Sequence, residues 1–210
     1  MQRHTASALA LAAALGAGPA LAQDKVEEGP EERPDVEPAF AEQTNAPALD
    51  SDIEIATETV AGDLVHPWGI AVLPGDGGYL VTERPGRLRH VAENGTLSQP
   101  IEGVPEVYNE EQGGLLDVTL APDFDESRRV YLTYAKPMGD GMSGTAAAYG
   151  TLSDDRTQLT DVQEIFAQEP PSPTPMHYGS RLVFDRTGHV YITTGEHFTE
   201  EERRYAQDMD

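Results

Sequence analysis

The chain has 210 residues, with 37 acidic side chains against 14 Lys and Arg, a net charge of −23 and no cysteine. The absence of cysteine excludes disulfides, thiolate metal sites and cysteine nucleophiles. The acidic excess argues against nucleic-acid binding, because proteins bind phosphates with Lys and Arg. Because the chain can form no disulfide, packing alone has to stabilise the fold.

The first 22 residues are typical of a secretory signal peptide. Arg3 and His4 precede a run of alanine and leucine over residues 8–15, and small residues follow at 20–22. The run is too short to span a bilayer, and no other segment is long and apolar enough to do so. We expect a periplasmic or secreted protein without a membrane span, from which residues 1–22 are removed.

Residues 23–50 are rich in acidic side chains and proline and have few large apolar residues. Such a segment cannot bury enough apolar surface to offset the entropy lost on ordering. We therefore expect a disordered acidic segment, with docking to a basic partner as an alternative. Residues 51–210 are expected to fold.

Residues 51–210 contain three similar pairs of predicted strands. The second strand of each pair ends near a threonine, and Thr82, Thr133 and Thr193 lie 51 and 60 residues apart. This is the repeat length of a β-propeller blade with long loops. The predicted strands are residues 68–73, 79–83 and 87–91 in blade one, 115–120, 130–135, 144–152 and 162–166 in blade two, and 182–184 and 190–194 in blade three.

The pattern predicts an all-β chain of four-stranded blades, the third incomplete. Helix signals are nearly absent after the signal peptide, apart from a polar turn near residues 199–205. Residues 53–57 alternate like a strand. Trp68, Gln112 and His177 open the inner strands, and in a propeller that position faces the central channel.

Seven short motifs occur in a specific order and spacing, at residues 67–69, 81–88, 103–105, 112–116, 122–124, 177–184 and 206–208. Together they resemble the soluble pyrroloquinoline-quinone (PQQ)-dependent sugar dehydrogenases, the glucose/sorbosone and aldose sugar dehydrogenase family. The resemblance implies a six-bladed β-propeller, of which this chain encodes about three blades. It also implies oxidation of the C1 hydroxyl of an aldose to the lactone, with PQQ and Ca²⁺ as cofactors and an external electron acceptor.

His177 is the first candidate catalytic residue. An imidazole changes protonation near neutral pH and can take a proton from a sugar hydroxyl. From the residue alone, a channel histidine that only forms hydrogen bonds is an equal alternative. The resemblance implies that His177 is the general base that removes the C1 hydroxyl proton, and that it lies against the quinone.

Glu196 and Gln112 are the other two candidates. Glu196 follows His177 by 19 residues, at the end of the neighbouring strand, where a carboxylate would fix the imidazole tautomer. An exposed loop acid is the alternative. Gln112 can donate and accept hydrogen bonds, which suits a sugar hydroxyl, and the resemblance places it in the substrate pocket. Its alternative is a turn residue that supports Gly113 and Gly114.

Other residues receive weaker assignments. Gln207 is a weak candidate for cofactor binding, and no metal ligand is assigned within the chain. Arg181 is expected to pair with an acid, Asp117 to pack between blades and Trp68 to pack in the core. His197 stands where relatives often carry Arg or Gln.

Most cofactor-binding residues implied by the resemblance would fall beyond residue 210. We therefore expect a truncated propeller that is inactive and aggregation-prone by itself. The chain has no dinucleotide-binding or P-loop motif in its strand and helix context, which argues against NAD and ATP. A calcium-dependent propeller lactonase and a non-catalytic binding propeller remain as alternatives.

Overall fold

The computed structural model describes residues 34–37, 39, 40, 43, 48, 49 and 51–207. The predicted signal peptide lies outside the described residues, as does most of the predicted acidic segment. The chain divides into two units, residues 1–57 and 58–210. In the described part, no helix is long and apolar enough to cross a membrane.

In the first unit, residues 51–57 form no strand, which corrects the expectation from their alternating pattern. Ile53 and Ile55 are both exposed. An alternating segment becomes a strand only when a neighbouring strand satisfies its backbone and one face is buried, and no such partner is described here.

The second unit contains nine described strands in three antiparallel sheets. We call these sheets blades one, two and three. Blade one is β1 (Pro67–Val72), β2 (Tyr79–Glu83) and β3 (Arg87–Val91); blade two is β4 (Leu115–Leu120), β5 (Arg129–Pro137), β6 (Ser143–Leu152) and β7 (Leu159–Ala167); blade three is β8 (Gly179–Phe184) and β9 (Val190–Thr194). The predicted all-β class is confirmed.

The prediction of four strands was wrong for blade one. The segment after the turn at Asn94 and Gly95 contacts β3 only through isolated bridges, which pair Val91 with Leu97 and Leu88 with Ile101. Pro100 lies just before the second bridge and has no N–H for a continuous ladder. Blade two has the full four strands.

The main core lies between blades one and two. Leu80 and Leu88 of blade one pack in one cluster with Leu115, Val130 and Leu132 of blade two. Each fully buried aliphatic side chain of this size contributes about 1.5–3 kcal/mol. In contrast, much of blade three is exposed, including Val183, Val190 and Tyr191.

Two short helices lie outside the sheets. The α-helix α1 (Phe124–Ser127) is a single turn that buries Phe124 and ends at Arg128, which has a φ of 57°. This helix was not predicted, because four residues are too few to show helical periodicity. A 3₁₀ helix, Glu202–Gln207, overlaps the predicted polar turn.

Each inner strand has a β-bulge at the same place, where two residues lie opposite one threonine. The three bulges are Trp68-Gly69 opposite Thr82, Leu116-Asp117 opposite Thr133, and Ser180-Arg181 opposite Thr193. A bulge leaves a backbone N–H without its ladder partner. In each blade the threonine Oγ1 accepts that N–H, at 2.8, 3.0 and 2.9 Å in chain order.

Two of these threonines also join neighbouring blades. Thr82 Oγ1 donates to the Leu116 carbonyl of blade two at 2.5 Å, and Thr133 Oγ1 donates to the Ser180 carbonyl of blade three at 2.6 Å. In both cases the acceptor is the first bulge residue of the next blade. The repeated threonine therefore caps its own bulge and fixes the next one.

Asp117 forms a second contact between blades two and three, as predicted. Its carboxylate accepts hydrogen bonds from Arg181 Nη1 at 2.6 Å and from the Leu182 N–H at 2.9 Å. Burial raises the pKa of Asp117 above its usual value, against the opposing effects of the Leu182 N–H and the Arg181 charge. The predicted ion pair of Arg181 with an acid is thereby confirmed.

Candidate functional site

A cleft of about 290 Å³ lies where the three blades meet. Its lining residues come from all three blades and their connections: His66, Trp68, Arg84, Gln112, Leu116, His177, Tyr178 and Gly179. The structure thus brings together the three residues predicted to face the channel. They are not equivalent by register, because Trp68 belongs to the bulge of β1, whereas Gln112 and His177 precede β4 and β8.

The backbone at His177 is held by close packing against Gly195. A Cβ atom at Gly195 would lie 1.5 Å from the His177 carbonyl oxygen, so only glycine fits there. His177 itself has a φ of 48°, a region that side chains other than glycine seldom adopt. This contact sets the end of β9, and therefore Glu196, beside the start of β8.

The His177 and Glu196 side chains form a direct pair. His177 Nδ1 lies 2.8 Å from Glu196 Oε1. Since a carboxylate oxygen only accepts, Nδ1 carries the proton, and Nε2 has the free lone pair in the neutral ring. The His177 side chain keeps 39% of its surface exposed and lines the cleft.

The charge of Glu196 is stabilised locally. The hydrogen bond from His177 lowers the pKa of Glu196 below its usual value, and its own backbone N–H and the charges of His177 and Arg203 act in the same direction. Arg203 Nε lies 3.7 Å from Glu196 Oε1. Glu196 is therefore ionised at neutral pH and can stabilise a positive charge on His177.

Gln112 is held on both sides. Its backbone N–H donates to the Pro175 carbonyl at 3.1 Å, and its Oε1 accepts the His177 backbone N–H at 3.0 Å. The side-chain carbonyl is therefore engaged, which leaves the Nε2 amide as the group that can donate to a ligand. Gly114 also has a tight backbone position, since a Cβ there would lie 2.1 Å from the Arg84 carbonyl oxygen.

Trp68 lies beside the cleft, 37% exposed, which corrects the expectation that it packs in the core. The Arg181 guanidinium lies over its ring, 5.1 Å from the centroid. Trp68 is the first residue of its bulge, opposite Thr82. The tryptophan therefore contributes an aromatic surface close to the candidate site.

His197, Phe198 and Gln168, which surround the His177–Glu196 pair, were not predicted to support the site. His197 is buried, with Nε2 lying 3.2 Å from Gln168 Oε1 and Nδ1 lying 3.2 Å from the Thr174 carbonyl oxygen. Phe198 meets the His177 ring edge-on, with the centroids 5.1 Å apart. Gln168 comes from the end of β7, so no local motif could have linked it to this site.

A larger cleft of about 600 Å³ lies on the side of Glu196 that faces residues 202–206. Gln207 ends the 3₁₀ helix that borders it, but the structure describes no side-chain position for Gln207. Among the described residues, no group of three His, Asp or Glu side chains is placed to hold a metal ion.

The chain is similar to known sugar dehydrogenases. The family model for "Glucose / Sorbosone dehydrogenase" matches residues 64–210. The chain is 47% identical over 156 residues to the aldose sugar dehydrogenase YliI of Escherichia coli (strain K12), which covers 74% of this chain and 41% of the relative. The chain therefore spans less than half the length of this curated relative.

Solved structures agree with this match. The apo-form soluble aldose sugar dehydrogenase from Escherichia coli has a TM-score of 0.69 at 47% identity, covering 72% of this chain and 43% of that one. The PQQ-bound aldose sugar dehydrogenase from Streptomyces coelicolor has a TM-score of 0.59 at 29% identity, covering 69% and 42%. The three blades described here thus correspond to part of a longer propeller.

Proposed function

Because the chain belongs to the glucose/sorbosone dehydrogenase family, we propose that it supplies the base and a sugar-binding group for PQQ-dependent oxidation of an aldose. The C1 hydroxyl of the sugar is oxidised to the lactone. The observation that carries this proposal is the 2.8 Å contact between His177 Nδ1 and Glu196 Oε1, which leaves His177 Nε2 free to accept a proton.

In the proposed reaction, His177 Nε2 takes the proton of the C1 hydroxyl while the C1 hydrogen leaves as a hydride. Glu196 keeps the proton on Nδ1 and stabilises the imidazolium that forms. Gln112 donates from Nε2 to a sugar hydroxyl. PQQ, when bound, would supply the two-electron acceptor for this hydride, and an external electron acceptor would be needed for turnover.

The cleft fits an anionic, planar cofactor such as PQQ, which carries carboxylates on a fused ring. Arg84 lines the cleft, and its Nε has no hydrogen-bond partner among the described residues. Its guanidinium can therefore donate to a carboxylate of a ligand in the cleft. We propose that Arg84 and the nearby Trp68 ring, with His177, face the cofactor.

The remaining expectations from the family are also proposals. Gln207 stays a weak candidate for cofactor binding. For Ca²⁺, the described residues offer no matching set of carboxylate ligands, so no step is assigned to it. We propose residues 1–22 as a signal peptide, 23–50 as an acidic disordered segment and 51–210 as part of the propeller, in a periplasmic or secreted protein.

The test requires a complete propeller. We define the joined protein as the Escherichia coli relative in which the matched 156-residue segment is replaced by the corresponding residues of this chain. The protein is given PQQ and Ca²⁺, and oxidation of aldoses is followed by reduction of a dye. His177→Ala should lower kcat at least ~10²-fold, as expected for loss of a positioned general base.

Glu196→Gln should lower kcat less, because it removes charge and orientation but leaves the base. The exposed His189 provides the matched control, and His189→Ala should behave like the parent. Near-parental turnover of the His177→Ala protein would contradict the proposal. Metal-dependent lactone hydrolysis without dye reduction would instead support the lactonase alternative, and sugar binding without either reaction would support a binding propeller.

A further inference from the structure

His197 is a buried histidine next to Glu196, and it does not face the reacting groups. Only 3% of its surface is exposed. Its Nε2 lies 3.2 Å from Gln168 Oε1 and its Nδ1 lies 3.2 Å from the Thr174 carbonyl oxygen. Both partners are acceptors, so a neutral ring donates to one of them and a protonated ring donates to both. The ring also meets that of Tyr178 edge-on at 5.3 Å. These partners belong to the end of blade two and to the connection that leads into β8.

Gln168 holds the chain on both sides of Glu196. Its Nε2 donates to the Gly195 carbonyl at 3.1 Å, and its Oε1 faces His197 Nε2. The orientation of the Gln168 amide is supported by a second donor, because the Thr145 N–H also donates to Oε1, at 3.4 Å. Gly195 and His197 are thus tied to one side chain, with Glu196 between them.

The two residues that flank His197 are the ones that contact the His177 imidazole. Glu196 forms the hydrogen bond to Nδ1, and the Phe198 ring lies edge-on, 5.1 Å away with an interplanar angle of 87°. His197 and Phe198 have φ values of 53° and 74°. Two consecutive non-glycine residues at positive φ persist only where their surroundings hold them.

We propose that His197, through Gln168 and Thr174, is a positioning residue that sets Glu196 and Phe198 against His177. It touches neither sugar nor cofactor. The inference rests on the proposed role of His177 as the base. Whether or not His177 is the base, the His177–Glu196 contact depends on a buried hydrogen-bonded anchor one residue away.

The first test needs no turnover. The carboxyl carbon of Glu196 is titrated by NMR in the chain itself and in the joined protein. His177→Ala removes the main group that lowers the pKa of Glu196, so it should move the titration to higher pH. His197→Ala should move it in the same direction, by at least half of that shift. His197→Gln keeps a side-chain donor and should move it less.

The second test uses turnover in the joined protein. His197→Ala should lower kcat at least about tenfold, as expected for a misplaced reacting group, with the KM for the sugar within about twofold. In the His177→Ala background the same change should have almost no further effect, because the positioned group is gone. The control is His189→Ala, which should alter neither readout.

A folded His197→Ala protein in which Glu196 titrates as in the parent would overturn the proposal, and so would a kcat loss of the same size in the His177→Ala background. If His197→Ala fails to fold, Gln168→Ala, which removes the side chain that joins His197 to the Gly195 carbonyl, is judged by the same two criteria. Absence of dehydrogenase activity in the parent joined protein would count against the proposed function only, since the titration of Glu196 does not depend on it.

Discussion

Thr82 and Thr133 make the same two hydrogen bonds in successive blades, whereas the residues that line the cleft beside them share neither residue type nor register. Each threonine accepts the N–H of its own bulge and donates to the first bulge carbonyl of the next blade. The cleft instead collects Trp68 from within β1 and Gln112 and His177 from before β4 and β8.

We call the repeated bulge contacts of the blades the frame. The frame is repeated from blade to blade, whereas the residues of the site beside it are not. At Thr82 and Thr133 the bulge contacts join a threonine hydroxyl to buried backbone groups, so loss of the hydroxyl leaves unpaired polar groups and lowers stability. The residues before the strands are partly exposed and free to differ. Changes in the frame should therefore alter the free energy of unfolding, and changes at the cleft should alter the kinetics.

The largest expected effect in the frame is at Glu83, next to Thr82. Its carboxylate is fully buried and accepts from the Val65 N–H at 2.5 Å, from Arg87 Nε at 2.6 Å and from Arg89 Nη1 at 3.2 Å. Glu83→Ala leaves these donors without their acceptor and should lower the free energy of unfolding by about 3 kcal/mol. Denaturant unfolding of the joined protein measures this, with the exposed Glu93→Ala as the control.

The same residue gives a pH dependence. Burial raises the pKa of Glu83, but the hydrogen bonds from Arg87, Val65 and Arg89 outweigh it and hold the pKa below its usual value. The stability that Glu83 contributes is therefore present above the usual carboxyl pKa and is lost as the pH falls through the lowered one. Glu83→Ala should flatten the stability profile in that acidic range, and an unchanged slope would show that Glu83 is not the group responsible.

The next effect compares two equivalent threonines. Thr133→Val keeps the shape of the side chain but leaves the buried Asp117 N–H and Ser180 carbonyl unpaired. This change should lower the free energy of unfolding by about 2 kcal/mol. Thr193 is exposed and makes no hydrogen bond to another described blade, so in the chain itself Thr193→Val should change the free energy of unfolding, measured with denaturant, by no more than about 0.5 kcal/mol. Equal losses at the two positions would show that the contact between blades is not what stabilises Thr133.

The sequence predicted the blades better than it predicted the surroundings of His177. Alternating apolar residues and the spacing of Thr82, Thr133 and Thr193 were sufficient for all nine strands, because the same local pattern recurs. The bulges were not predicted, since one extra residue in a strand changes the register without changing the composition. Trp68 was assigned to the core because tryptophan is usually buried, but at the first bulge position it lies beside the cleft.

The contacts of His197 could not be predicted for a different reason. Gln168 lies 29 residues earlier in the chain, and its amide acts on Gly195 and His197 only because β7 ends beside the loop after β9. No periodicity or short motif records such a contact. The pair of His177 and Glu196 could be predicted because both residues lie at adjacent strand ends of one hairpin.

The smallest expected effect separates the two roles of Gln112. Gln112→Glu keeps the oxygen that accepts the His177 N–H and removes the Nε2 donor, so it should raise the KM for the sugar about fivefold, the value of one hydrogen bond, with kcat within about twofold. Gln112→Ala removes both groups and should also lower kcat, because the backbone of the base then loses a partner. Steady-state kinetics of the joined protein distinguish these cases. If both variants raise KM equally and leave kcat unchanged, Gln112 binds the sugar without helping to place His177. The hydrogen bond between Gln112 and the His177 N–H would then have no effect on catalysis.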